Sequence, residues 1–287
     1  MDPDVAGSFL LEQYQANISA ALRPAFSSDS LPLVSVKASC VAAKWLSSGV
    51  ASSTNDIQRV YRLMVSSLDL IRYPTKEGHA SPKMCQLKDE ACIISWADIY
   101  IAAAEQATGG FKFGPERELP PDGMLNLVSV ELADLKKIWI SFLAKSSKQR
   151  YFYDFYPRFL RVLFPRICNS IAHAVAILTK LDEYWNEADE REIIVQLITG
   201  LAVETLLAPA SSISAEDALH AISALAKIHF DDLSAKMDIL QDILRVAHRV
   251  IITRNEERLT EKALEISSKI VSSVKLNEDL RKAFKPA

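Results

Sequence analysis

Apolar residues recur along this chain at helical spacing almost everywhere. Val60, Leu63, Met64, Leu68 and Ile71, with Ser67 between them, fall on one face by the i, i+3, i+4, i+7 rule. Ile239, Ile243, Val246, Val250 and Ile251 repeat the pattern. Two-residue alternation over a strand length is hard to find. The spacing predicts helices over 4–22, 33–48, 56–72, 84–107, 124–146, 166–185, 188–207, 215–229, 232–253, 256–274 and 277–284. A weaker stretch, 150–163, is broken by Pro157 and closed by Pro165.

The punctuation supports this row of helices. All of the twelve prolines except Pro157 stand at or near a predicted helix end. There a missing N–H and a fixed φ cost least. Gly49 follows the second helix, where a left-handed cap belongs. Asn55, with Gln58 three residues on, reads as a capping box, as does Ser214 with Asp217. Asn255 and Asn277 are further cap candidates. The connections are short apart from loops near 73–83 and 108–123 and a hinge-like segment at 147–165. Short connections imply antiparallel neighbours.

The row also repeats. Tryptophans stand at 45, 96, 139 and 185, spaced by 51, 43 and 46 residues, each on a predicted helix. That is close to the ~40–47 residues of a HEAT or armadillo helix pair. The expected fold is all-α: an α-solenoid of HEAT/armadillo-like antiparallel hairpins, about five pairs, forming a single domain over 1–287.

Composition narrows the class further. Only 8 of 287 residues are glycine, against a usual ~7%. Sheet turns and phosphate-binding loops both need glycine, so all-β and nucleotide-binding α/β folds are disfavoured. An apolar fraction of 49% supports a sizeable core. The net charge of −3 exerts no global pull toward nucleic acid or anionic membrane. Four cysteines without framework spacing, an acidic Met-Asp-Pro-Asp start and apolar runs no longer than Ile167–Thr179 point to an intracellular soluble protein.

Chemistry-bearing patterns are sparse. Gly109-Gly110-Phe-Lys-Phe-Gly114 has neither the P-loop nor the Rossmann order and reads as an inter-helix loop. Cys85 and Cys92 are two helical turns apart with His79 nearby; buried thiols explain them better than a metal. The acidic cluster at 182–192 reads as solvated helix ends favouring the next helix N-terminus. No acid–base pair, metal ligand set or cofactor motif emerges, so neither a catalytic residue nor a cofactor is expected. A small-molecule substrate is not expected either.

The segment 145–166 stands out. Lys145, Lys148, Arg150, Arg158, Arg161 and Arg166 alternate with tyrosines and phenylalanines against a single Asp154. Its bland reading is a packed connector with aromatic rings in the core. As a protein-docking surface it would use Arg150, Tyr153, Tyr156, Arg158 and Arg161, because Tyr and Arg are enriched at hot spots. Single-stranded nucleic acid is the alternative ligand, though none is expected.

Two stretches carry a resemblance. Val41-Ala-Ala-Lys-Trp45-Leu-Ser-Ser-Gly49-Val50 is followed by Asn55-Asp56-Ile-Gln-Arg59-Val60-Tyr-Arg-Leu63-Met-Val65-Ser66-Ser67-Leu68. Their order resembles the HEAT-repeat-containing protein 5 family. Ser95-Trp96-Ala97-Asp98, the Leu127–Trp139 stretch and His173-Ala-Val-Ala176 match in register, so the resemblance covers about 35–275. It implies a C-terminal piece, or a short relative, of very large helical-repeat proteins. Those proteins are cytosolic accessory factors of the clathrin adaptor complex, peripheral to trans-Golgi network and endosomal membranes. The implied partners are the clathrin adaptor complex and its smaller accessory proteins. Trp45, Gly49, Asn55, Asp56, Arg59, Trp96 and Trp139 then mark fold and family, with the tryptophans filling seams between hairpins. A helical-repeat scaffold of another pathway, such as a nuclear transport or assembly factor, is the alternative.

Overall fold

The computed structural model describes residues 10–27, 29–51, 53–73, 82–107, 123–149, 170–179, 181–185, 188–207, 212–226, 237–254 and 256–276. Every regular element among them is helical, as the spacing predicted. The chain divides into two compact units, Met1–Leu135 and Lys136–Ala287.

In the first unit a 3-10 stretch, Leu10–Tyr14, leads into α1 (Gln15–Leu22) and a second 3-10 turn, Arg23–Phe26. Next come α2 (Pro32–Ser47), α3 (Thr54–Arg72), α4 (Pro82–Ala107) and α5 (Gly123–Ser129). α6, Leu132–Gln149, starts at the end of this unit. α2 packs on both α3 and α4, and α1 lies on α3. The buried faces of α2 and α4 are rich in alanine: Ala38, Ala42 and Ala43 on one, Ala91, Ala97 and Ala103 on the other. Small side chains let helix axes approach closely. Val60, Met64 and Leu68 are fully buried, so the face predicted on α3 is the face it buries.

In the second unit a helix at 170–178, α7, precedes α8 (Ala188–Leu207), α9 (Ser212–Ala226), α10 (Met237–Thr253) and α11 (Glu257–Leu276). α8 packs on α9 and α10 on α11. In addition α10 lies on α8, and α11 on α9. Two hairpins are thus stacked first helix on first and second on second. The starts of α8 and α10, at 188 and 237, are offset by 49 residues; those of α9 and α11, at 212 and 257, by 45. This is the packing rule of an α-solenoid. Ile198, Leu201, Leu219, Ile222, Ile243, Val246, Ile266 and Ile270 on these four helices are all buried. Each contributes ~1.5–3 kcal/mol.

Several helix ends differ from the expectation. α2 and α4 begin on Pro32 and Pro82, so Lys83 belongs to a helix and not to the preceding loop. Proline at the first position loses no hydrogen bond and is already set in helical φ. α3 begins at Thr54, with Ser53 at its N-cap, so Asn55 lies inside the first turn. The tertiary fold decides this. The Ser53 N–H donates to Gln15 Oε1 at 3.1 Å, and the Ser53 carbonyl accepts from Asp56 and Ile57. α9 begins at Ser212, so Ser214 is within the helix. Asn255 and Asn277 lie outside the described residues, as do 277–284.

The predicted helix 124–146 is two helices. α5 ends at Ser129, α6 starts at Leu132, and Gly123 opens α5. Across the break the Glu131 N–H turns to the Val128 carbonyl at 2.9 Å, and the Glu131 carbonyl starts α6 by accepting from Leu135. The predicted helix 166–185 also ends early. After 178 the chain makes a 3-10 turn, Asp182–Tyr184, and Trp185 follows it off any helix. Its indole caps this end. Trp185 Nε1 donates to the Leu178 carbonyl at 3.1 Å, and the Arg191 guanidinium donates to the Thr179 carbonyl. Both oxygens would otherwise continue the helix.

Candidate functional site

The corner between α2 and α3 holds most of the family-like residues. Trp45 is buried near the end of α2. Gly49 then takes φ +66°, the left-handed conformation expected of it. Around it Ser48 Oγ donates to the Trp45 carbonyl at 2.8 Å and accepts from the Val50 N–H at 3.2 Å. Asp56 sits in the first turn of α3, where its charge suits the helix dipole, and accepts from Arg59 at 3.1 Å. Trp96 and Trp139 are fully buried. The Trp45 indole N–H has no partner among the described residues. Volume, and not hydrogen bonding, holds the Trp45 ring. The Tyr61 ring meets Trp96 edge-on at 5.5 Å, a favoured aromatic geometry.

An ionic hub lies at the far end of α3. Arg72 pairs with Glu131, with Asp69 at 3.0 Å, and lies 3.1 Å from Asp134. Burial works against the Arg72 charge, but the hydrogen bonds to Glu131 and Asp69 outweigh it and hold its pKa above the ordinary value. Burial, reinforced by Glu131, pushes the Tyr61 phenol well above its usual range. Tyr61 therefore stays a donor at neutral pH. The second unit has its own buried cation. Lys136 Nζ donates to the Tyr184 carbonyl at 2.7 Å and to Glu190 at 3.1 Å, and stands 4.1 Å from the Trp185 ring centre. Trp185, the fourth tryptophan of the periodic series, is thus a cap and a cation platform.

A groove of about 430 Å³ runs between α1 and α3. Its apolar lining is Ala16, Ala20 and Leu63. Arg23 rises from the α1 side and Arg59 and Arg62 from α3, with Ser19 and Ser66 beside them. No carboxylate lines it. In the sequence Arg59 stands out only as a family-like residue, and Arg23 and Arg62 belong to no motif that points to a site. Arg59 and Arg62, three apart, were detectable as one helical face; Arg23 joins them only through the packing of α1.

Arg150, Tyr153, Tyr156, Arg158 and Arg161 lie outside the described residues, as does most of 145–166. So do His79, the side chain of Cys85 and the glycine cluster at 109–114. The Cys92 thiol is buried, which pushes its pKa up to about 12 and makes it unreactive. Among the described residues no three His, Cys, Asp or Glu side chains converge as metal ligands, and no helix is long and apolar enough to cross a membrane.

Stacked hairpins, a left-handed glycine corner and tryptophan-filled interiors define a HEAT-type helical scaffold. The chain belongs to the Laa1/Sip1/HEATR5 family: the model of the Laa1/Sip1/HEATR5 HEAT repeat region matches residues 1–148. The AP-1 accessory protein LAA1 of Saccharomyces cerevisiae is 35% identical over 104 residues, 34% of this chain and 5% of that relative. The chain thus matches only a small part of that relative's length. No solved structure matches.

Proposed function

We propose that this chain is a non-enzymatic scaffold segment serving clathrin-adaptor-dependent transport between the trans-Golgi network and endosomes. The carrying observation is its 35% identity to a protein named as an accessory of AP-1. Stacked hairpins offer extended surface and inter-helix grooves for partners. On this reading the protein works in the cytoplasm and is held at membranes by its partners, the adaptor complex among them.

The test is affinity purification of the protein from cells, followed by mass spectrometry. Recovery of AP-1 subunits above a control is expected; their absence overturns the trafficking reading and leaves the scaffold. We further propose 145–166 as a docking surface for a protein partner. Exchanging Arg158 and Arg161 for Glu should then weaken recovery at unchanged thermal stability, and undiminished recovery removes that segment as the surface.

A further inference from the structure

We infer that the groove between α1 and α3 is a docking site for a short acidic peptide, one whose aspartate or glutamate side chains face the arginines while an apolar side chain meets Ala16, Ala20 and Leu63. The groove is cationic in a chain of net charge −3, so its sign is a local property of these three side chains. Among the described residues neither Arg23 nor Arg62 has an ion-pair partner. Among the described residues Arg59 pairs only with Asp56, an i,i+3 pair in which the arginine side chain is 57% exposed. Such pairs are worth a few tenths of a kcal/mol and are easily exchanged. The two serines are already committed: Ser19 Oγ donates to the Ala16 carbonyl at 3.0 Å and Ser66 Oγ to the Arg62 carbonyl at 2.9 Å. The guanidinium groups are therefore the donors left for a ligand, and their forks match carboxylates in bidentate pairs.

Shape and lining choose among anionic ligands. About 430 Å³ lies within the range of a ligand pocket and exceeds what one free anion fills. No aromatic ring lines the groove, so it lacks the stacking platform that single-stranded nucleic acid uses. Its apolar lining is two alanines and one leucine, with no aromatic side chain and no broad apolar face to insert into a lipid surface. A linear acidic segment satisfies both the charges and the apolar lining, the mode in which arginine clusters capture acidic motifs. This site is independent of the trafficking reading and of the 145–166 segment.

The test uses the full chain and a fluorescein-labelled octapeptide of six aspartates flanking two leucines, followed by fluorescence anisotropy. Saturable binding that weakens with added salt is expected. The double variant Arg23→Glu, Arg62→Glu should lose at least tenfold in affinity with an unchanged melting curve. If that variant melts early, Arg23→Gln with Arg62→Gln removes charge at nearly constant size and should show the same loss. The peptide with asparagine in place of aspartate should not bind. Equal binding of the asparagine peptide, or unchanged affinity in the folded variants, overturns the inference. So does capture of phosphatidylserine vesicles through these arginines when the peptide fails to bind.

Discussion

Tyr61 and Leu127 stand 66 positions apart, and the Tyr61 hydroxyl donates to the Leu127 carbonyl at 2.7 Å. In an unbroken helix that carbonyl would accept from the Glu131 N–H. The phenol takes the place of one helical hydrogen bond at the point where α5 gives way to α6. One side chain therefore ties three helices, since its ring also rests on Trp96 of α4. Tyr61→Phe keeps the ring and removes the donor. It should cost about 1 kcal/mol, read as a lower urea midpoint at unchanged m. A midpoint equal to the wild type would show that the Leu127 carbonyl finds another donor without loss.

Arg72 and Glu131 are both largely shielded from water, with side-chain exposures of 14% and 11%. Arg72→Met strands the Glu131 carboxylate and should cost roughly 2–3 kcal/mol, below the full range for a buried pair because Asp134 faces solvent. Glu131→Leu alone should also destabilise. The double variant should recover at least ~1 kcal/mol of the summed losses. Strictly additive losses in chemical denaturation would show the two groups to be uncoupled.

Gly49 offers a cleaner backbone experiment. A Cβ at this position meets nothing within 4 Å, so Gly49→Ala probes conformation alone. At φ +66° it should destabilise by about 1 kcal/mol. Gly49→Asn should lose less, because asparagine tolerates the left-handed region. Equal losses for the two would point to a cause other than φ.

Glu90 sets a pH dependence. It is buried, and desolvation raises its pKa above the ordinary 4.5 even though Gln86 donates to it at 2.8 Å. The sign follows from linkage. The folded state holds this proton more tightly than the unfolded state, so ionised Glu90 lowers stability at neutral pH. That penalty fades as pH falls through the raised value toward 4.5. Glu90→Gln should therefore raise the melting temperature at pH 7 and lose its advantage near pH 4. An advantage independent of pH would assign the gain to packing instead.

Much of the fold was legible because burial on a helix leaves a periodic trace. Val60, Met64 and Leu68 are buried as their spacing predicted, and Gly49 is left-handed as its position required. The α8 limits, Ala188–Leu207, agree with the pattern, while several other starts fell two or three residues away. The α3 start depends on a partner distant in sequence. Ser53 is fixed by Gln15, and the α5–α6 break coincides with contacts to Tyr61 and Arg72. Apolar periodicity carries no record of either. The groove shows the same limit: two of its arginines share a helical face, but the third is recruited by folding. Trp185 was visible as part of a periodic series, yet its work as a cap for α7 depends on a 3-10 turn that the series does not encode.

The stacking of α10 on α8 and α11 on α9 separates size from stability. In a closed bundle, every helix shares one interior, and adding a pair rebuilds it. In two parallel rows, a new pair meets only the pair before it. Growth then costs no redesign of what already stands, and length becomes a heritable dimension of the molecule in its own right.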